Sequence, residues 1–159
     1  MSIKVKETRL LNDIEITQCL SISKKLFGQN YHSKNYFFQK NIIKLIAFKN
    51  NKVIGFFTTH RIKKHIIIDC IAIKNKWQKK KIGSLLTNYF FKNIVKDNEK
   101  VMAYAWKVNN KIPANKINIK FGLKKIKNLG KYWERKCNKT FKCIQYNNSC
   151  KCECVLYSN

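Results

Sequence analysis

The segment from His65 to Leu86 combines residue types that can hold a pyrophosphate group. An apolar, largely β-branched run over residues 66–73 predicts a strand, and a short polar loop follows it. An amphipathic helix then opens near Gly83 and Ser84. Consecutive backbone amides around a glycine at a helix N-terminus donate hydrogen bonds to anions. This segment therefore predicts a phosphate-binding turn between a strand and a helix.

The turn resembles motif A of the GNAT superfamily of N-acetyltransferases. In that motif a strand is followed by Gln or Arg, two variable residues, Gly, one variable residue, and Gly or Ala. Here the motif runs from Gln78 to Gly83, and Lys81 stands where the family most often has its first Gly. A Cβ hinders both a positive φ and a close approach of the backbone to phosphate. The resemblance implies acetyl-CoA as cosubstrate, bound by Ile71, Ala72, Ile73, Gln78, Lys79, Lys80, Lys81, Ile82, Gly83 and Ser84.

Hydrophobic periodicity predicts the elements that must position this turn. Asn12 and Asp13 offer a cap for a first helix that Gly28 ends, and the only proline, Pro113, lies near the start of a short helix that Gly122 ends. The predicted order is strand, two helices, three strands, helix, strand, helix and closing strands within residues 123–157. This order is similar to the GNAT fold over roughly residues 3–136. We expect an α/β (α+β) protein, a single domain over 1–159, with a mixed, mostly antiparallel sheet of six to seven strands and about four helices.

Acetyl transfer needs a base for the amine, and the sequence offers few candidates. Of the eight acidic residues, Asp69 alone falls in the predicted central strand. Burial beside Ile68 and Cys70 would raise the pKa of its carboxyl group toward useful base strength. By resemblance, its place matches one where the family often carries an acidic residue acting directly or through water. We predict Asp69 as the base; the alternative is a carboxylate that faces solvent or a loop. His60 and His65 bracket the preceding loop and are expected at the surface.

A proton source for the leaving thiolate is harder to identify. Family members often have a Tyr four residues before the Gly that ends the later helix, and this chain has Asn118 there. An amide does not transfer a proton as a phenol does. Tyr104, on the neighbouring predicted strand, is the substitute candidate, with sheet packing as its alternative role.

Five of the seven cysteines lie in a Cys-rich C-terminal segment, residues 137–159. In an extended strand Cys150, Cys152 and Cys154 project from the same face, and with Cys143 or Cys137 they could gather around zinc. The predicted ligand set is Cys143, Cys150, Cys152 and Cys154. The spacing lacks the paired two-residue gaps of zinc knuckles, so free thiols and redox pairing stay as alternatives.

The composition adds a strong positive charge, +26 from 34 basic and 8 acidic residues. Only three of the basic residues are arginines, the type best suited to bidentate recognition of phosphates and bases. The charge suits an anionic cosubstrate, and a lysine-rich coding bias would also explain it.

We therefore predict an N-acetyltransferase that moves an acetyl group to a primary amine of a small molecule or protein. The alternative is a non-catalytic basic module that binds nucleic acid or ribosomes. No apolar run is long enough for a membrane span, so we expect a cytoplasmic monomer or homodimer without a membrane partner.

Overall fold

The computed structural model describes residues 2–159. The helices are α1 (Asp13–Phe27), α2 (Lys34–Phe38), α3 (Ile82–Asn93) and α4 (Asn115–Lys120), with one 3-10 turn at Asn75–Trp77. The strands are β1 (Lys4–Thr8), β2 (Gly28–Gln29), β3 (Ile42–Lys49), β4 (Lys52–Ile62), β5 (His65–Ile73), β6 (Lys100–Lys107), β7 (Lys124–Asn128), β8 (Lys142–Cys143) and β9 (Glu153–Ser158). Within residues 2–159, none of the helices has the length and apolar character needed to cross a membrane.

Seven strands form the main sheet in the order β1-β3-β4-β5-β6-β9-β7. All neighbours are antiparallel except β5 and β6, whose parallel register begins at His65 with Lys100 and ends at Ile68 with Ala103. Beyond those residues the two strands part. The expected mixed, mostly antiparallel sheet of six to seven strands with about four helices is confirmed, and the parting of its central strands opens the sheet.

A β-bulge in β5 falls at Asp69. Thr58 pairs with Cys70 and Thr59 with Ile68, so Asp69 is the extra residue without a β4 partner. Before the bulge, Ile68 packs into the core under α3; after it, Cys70 packs into the core under α1. The extra residue therefore exchanges the two faces of β5 at the point where β5 leaves β6.

Two apolar layers cover the sheet. The layer against α3 includes Leu86 and Phe90, and the layer against α1 and α2 includes Ile16 and Phe37; all four are fully buried. A capping box at Asn12 fixes the start of α1, because its side chain accepts from the Glu15 amide at 2.8 Å while the Glu15 carboxylate accepts from the Asn12 amide. The α3 layer therefore packs on both β5 and β6, and the α1 layer packs on the opposite face of β5.

The C-terminal segment departs from the extended strand predicted for its cysteines. The last strand begins only at Glu153 and inserts between β6 and β7, while β8 pairs with β2 in a separate two-stranded ladder. Residues 144–152 are turns and irregular chain. The expectation of one extended strand carrying Cys150, Cys152 and Cys154 is therefore wrong. Because residues 144–152 lack the regular alternation of a strand, Cys150 and Cys152 share no strand face with Cys154.

Candidate active site

A cavity of about 730 Å³ lies where β5 and β6 part. Its walls include Asp69 and Ile71 from β5, Tyr104 from β6, and Asn118 from α4. The residues of β5 beyond Ile68 have no β6 partner, so this edge is open to an extended ligand arm. The cavity thus joins an unpaired strand edge to the loop that precedes α3.

The loop at 78–81 places backbone amides at the N-terminus of α3. Lys79 and Lys81 adopt left-handed conformations, with φ of 59° and 61°. Gln78 Nε2 donates to the Ile73 carbonyl at 3.0 Å and to Asn75 Oδ1 at 3.2 Å, which ties the loop to the end of β5. The position occupied by Lys81 therefore needs the conformation for which glycine is the usual residue, and Lys adopts it at a cost of roughly 1 kcal/mol.

Gly83 is favoured by packing rather than by φ, because an added Cβ would require the flexible end of Ile117 to shift. A Cβ at this residue would lie 2.8 Å from Ile117 Cδ1 of α4 and 4.0 Å from Ile71 Cγ2. The absence of a side chain lets α3 and α4 approach each other beside the loop. α3 therefore starts at the edge of the cavity, with its free amides toward it.

Most of the predicted cofactor-binding residues line the cavity. They are Ile71, Ile73, Gln78, Lys79, Lys81, Ile82, Gly83 and Ser84. Ala72 does not line it, because its side chain is fully buried on the opposite face of β5. Lys80 is also absent from the lining; its ammonium lies 4.9 Å from the ring centre of Trp77, a cation–π contact.

Asp69 is held by a histidine. His60 Nδ1 lies 2.8 and 2.9 Å from the two carboxylate oxygens. Burial raises the pKa of the Asp69 carboxyl group, and hydrogen bonds from His60 and Tyr36 oppose that rise. The Tyr36 hydroxyl oxygen also lies 2.9 Å from Thr58 Oγ1. A buried carboxylate with a strengthened affinity for protons at the parting of the two strands can act as a general base.

His60 is the residue that the sequence interpretation missed. We expected it at the surface, and three-quarters of its side chain is in fact covered. The β4–β5 register carries the signal, because His60 pairs with Ile67 and therefore lies on the same face as the bulged Asp69. A histidine that lies eight to ten residues from an acid, across a tight turn, is the sequence pattern that predicts a contact of this kind between His60 and Asp69.

Two polar atoms beside the cavity have no hydrogen-bond partner among the described residues: Asn118 Nδ2 and Trp133 Nε1. Asn118 is only 2% exposed, and both side chains line the cavity. Leaving a buried donor without a partner costs about 1–3 kcal/mol, which an acceptor atom on a ligand would recover. Tyr104 lines the same cavity and stacks on Tyr132, with ring centres 5.5 Å apart.

The cysteines gather differently from the prediction. Cys137, Cys150 and Cys152 form a buried cluster with Cys143 packed against it, whereas Cys154 belongs to β9 and is buried apart from them. Within residues 2–159, no set of three or more Cys, His, Asp or Glu side chains has the geometry to hold a metal ion. The predicted zinc ligands Cys143, Cys150, Cys152 and Cys154 do not form one site, because alternation in β9 and the irregular chain before it direct Cys154 elsewhere.

Three features together are those of the acetyltransferase class that has this fold. The central strands part, an acidic residue lies at a bulge beside the gap, and backbone amides line the start of the next helix. The family model described as "Acetyltransferase (GNAT) family" matches residues 15–117. The chain therefore belongs to the GNAT acetyltransferase family. A comparison with curated protein sequences gave no match.

Solved structures agree with the family at the level of fold. An aminoglycoside 6'-N-acetyltransferase complexed with coenzyme A is 11% identical with a TM-score of 0.74, covering 98% of this chain and 96% of its own. Naa50 of Arabidopsis thaliana, in complex with a bisubstrate analogue, is 19% identical with a TM-score of 0.73, covering 100% and 99%. The aminoglycoside 6'-N-acetyltransferase of Enterococcus faecium is 10% identical with a TM-score of 0.71, covering 98% and 96%. These chains share the fold over their whole length.

Proposed function

We propose that this protein transfers the acetyl group of acetyl-CoA to a primary amine by direct attack. The observation that carries the proposal is the single cavity wall formed by the unpaired end of β5, the amides at the start of α3 and the bulged Asp69. The amides and the loop lysines suit the pyrophosphate, and the unpaired strand edge suits the amide-containing pantetheine arm. The charge of the chain favours the same anionic ligand.

Asp69 is the base in this proposal. It takes the proton that the amine loses as its nitrogen bonds to the thioester carbonyl carbon. His60 acts as a positioning residue, because its Nδ1 lies within 2.9 Å of both carboxylate oxygens and limits how far the pKa of Asp69 rises. The hydrogen bond from His60 therefore favours the ionised carboxylate that a base requires, against the effect of burial.

Asn118 and Tyr104 serve the leaving group. When the carbon–sulfur bond breaks, CoA leaves as a thiolate that needs hydrogen-bond donors and then a proton. The unpartnered Asn118 Nδ2 stabilises negative charge in a buried site, although it transfers no proton. Tyr104 is the proposed proton source, since it lines the same cavity from β6.

The lining also restricts the acceptor. Asp69 is the only carboxylate among the described residues that line the cavity, and the far wall is aromatic, with Tyr31, Trp106, Trp133 and Phe141. A polyamine or aminoglycoside would need several carboxylates to replace its solvation. We infer an acceptor with one amine next to an apolar group, such as the N-terminus of a peptide that begins with an apolar residue.

The test measures binding and transfer separately. Acetyl-CoA is expected to raise the midpoint of thermal unfolding, by an amount that grows with its concentration over the dissociation constant. Transfer is then followed as thiol release with a panel of peptides differing at the first two residues, with kanamycin as the polycationic control. Peptide acetylation with a higher kcat/KM than kanamycin is expected. The reverse order would refute the acceptor class, and no shift with acetyl-CoA, together with salt-sensitive RNA binding, would favour the basic binding module instead.

A further inference from the structure

Four thiols form one cluster on the segment between β7 and β9. Cys137 contacts both Cys150 and Cys143, and Cys143 in turn contacts Cys152. The contacts therefore run in a chain from Cys152 through Cys143 and Cys137 to Cys150, with the pair Cys143 and Cys152 at one end and the pair Cys137 and Cys150 at the other. Cys137, Cys150 and Cys152 are buried, whereas Cys143 is half-buried.

The cluster forms part of the cavity wall. Cys137, Cys143 and Cys152 line the cavity, so a small molecule that enters it lies beside these residues. β8 carries Cys143 and is attached to the end of α1 by its pairing with β2, where a Cβ on Gly28 would lie 1.8 Å from the Lys142 carbonyl oxygen. The thiols thus sit where the C-terminal segment closes over the end of the cavity.

The two thiols of the first pair differ in the groups that face them. Cys143 Sγ accepts a hydrogen bond from the Gln145 amide at 3.4 Å, so a donor is in place for negative charge on the most accessible sulfur. Burial raises the pKa of the Cys152 thiol to about 11, although a hydrogen bond from the Trp106 indole N–H lowers it in part. Burial and the neighbouring Cys150 raise the pKa of the Cys137 thiol to about 12. Cys143, which is half-buried and lines the cavity, is therefore the entry point, and Cys152 follows because the Trp106 N–H donates to its sulfur.

We propose that Cys143 and Cys152 form a thiol modification site that exchanges with low-molecular-weight disulfides such as CoA disulfide. The Cys143 thiolate attacks one sulfur of that disulfide, forms a mixed disulfide and releases one thiol. The Cys152 thiolate then attacks Cys143 Sγ, forms the intramolecular disulfide and releases the second thiol. The protein loses two electrons and two protons, and the small disulfide is reduced to two thiols. The product links β8 to the chain entering β9 across the wall of the cavity.

The experiment maps disulfides in the full-length protein. The protein is reduced with a phosphine, freed of it, incubated with CoA disulfide or glutathione disulfide, blocked with N-ethylmaleimide and digested with trypsin and chymotrypsin. Cleavage after Tyr146 separates Cys143 from Cys150, and cleavage after Lys151 separates Cys150 from Cys152. Cys154→Ala leaves Cys152 as the only cysteine of the last peptide and serves as the matched control.

A peptide link between Cys143 and Cys152 is expected in the wild type and in Cys154→Ala, and it is expected to disappear in Cys143→Ser. A link that requires Cys154, a mixed disulfide that never resolves, or no reaction at all would overturn the proposal. So would a stoichiometric metal ion in the reduced protein that Cys143→Ser removes, because the four thiols would then be ligands. The mapping requires no acetyl transfer, so its outcome is independent of the proposed function.

Discussion

Replacing Asp69 with Asn tests the proposed base most directly. The amide has the size of the carboxylate, whose two oxygens lie 2.8 and 2.9 Å from His60 Nδ1 in the wild type, and it keeps a contact with that nitrogen. Unlike the carboxylate, it takes no proton. A positioned general base contributes roughly 10²- to 10⁴-fold in rate, or about 3–5 kcal/mol of the barrier. We therefore expect kcat for acetyl transfer to fall by about that factor, with acetyl-CoA affinity unchanged, because the proposed cosubstrate contacts lie on the β5 edge and the α3 loop.

Stability provides the control for this variant. The Asp69 pKa is raised by burial above its ordinary value of 3.8, so the folded state binds this proton more tightly than the unfolded state does. The associated stabilisation is fully present below the unfolded-state pKa and is lost as pH rises through the folded-state pKa. The Asn side chain of Asp69→Asn does not titrate, so the variant does not lose this stabilisation as pH rises. The free energy of unfolding of the variant minus that of the wild type is therefore expected to increase from acidic to neutral pH.

The assay combines thiol release at saturating acetyl-CoA with urea unfolding at acidic and neutral pH. A loss of transfer in a variant that is no less stable at neutral pH identifies a chemical role. Retention of wild-type kcat would refute Asp69 as the base. A loss of transfer accompanied by a matching loss of acetyl-CoA protection would place the defect in folding or binding instead.

Three further changes have defined outcomes. His60→Phe removes the hydrogen bond that lowers the Asp69 pKa, so the acidic limb of the pH–rate profile is expected to move to higher pH; an unmoved limb contradicts the positioning role. Lys81→Gly removes the strain of the left-handed conformation, whereas Lys81→Ala keeps it, so the free energy of unfolding in urea is expected to be about 1 kcal/mol higher for the Gly variant. Equal stability of the two variants would contradict the strain argument. Gly28→Ala combines a φ of 119° with overlap of the β8 backbone and is expected to cost more than about 2 kcal/mol, against about 1 kcal/mol for Gly130→Ala, whose Cβ would meet nothing within 4 Å. A Gly28→Ala variant as stable as Gly130→Ala would argue against the close approach of β2 and β8.

Local patterns predicted most of the fold because they are strong along single elements. Asn12 and Gly28 marked both ends of α1, as the capping box and the C-cap confirm. The β-branched run at 66–73 located β5, which spans His65–Ile73, to within a residue. The C-terminal segment lacked such signals. A period of two at Cys150, Cys152 and Cys154 arises equally from turns, and only the pairing of β9 between β6 and β7 decided where regular strand begins.

In the candidate site, too, some features follow from local sequence patterns and others only from tertiary contacts. Sequence by itself placed Asp69 in the central strand and Gln78–Gly83 at a helix start, because these follow from order along the chain. Tertiary structure alone decided that β5 bulges at Asp69, that His60 faces it, and that Asn118 is buried without a partner. It also replaced Cys154 with Cys137 in the thiol cluster. The physical reason is that register, bulges and side-chain burial depend on residues far apart in the chain, whose contacts form only when the sheet assembles.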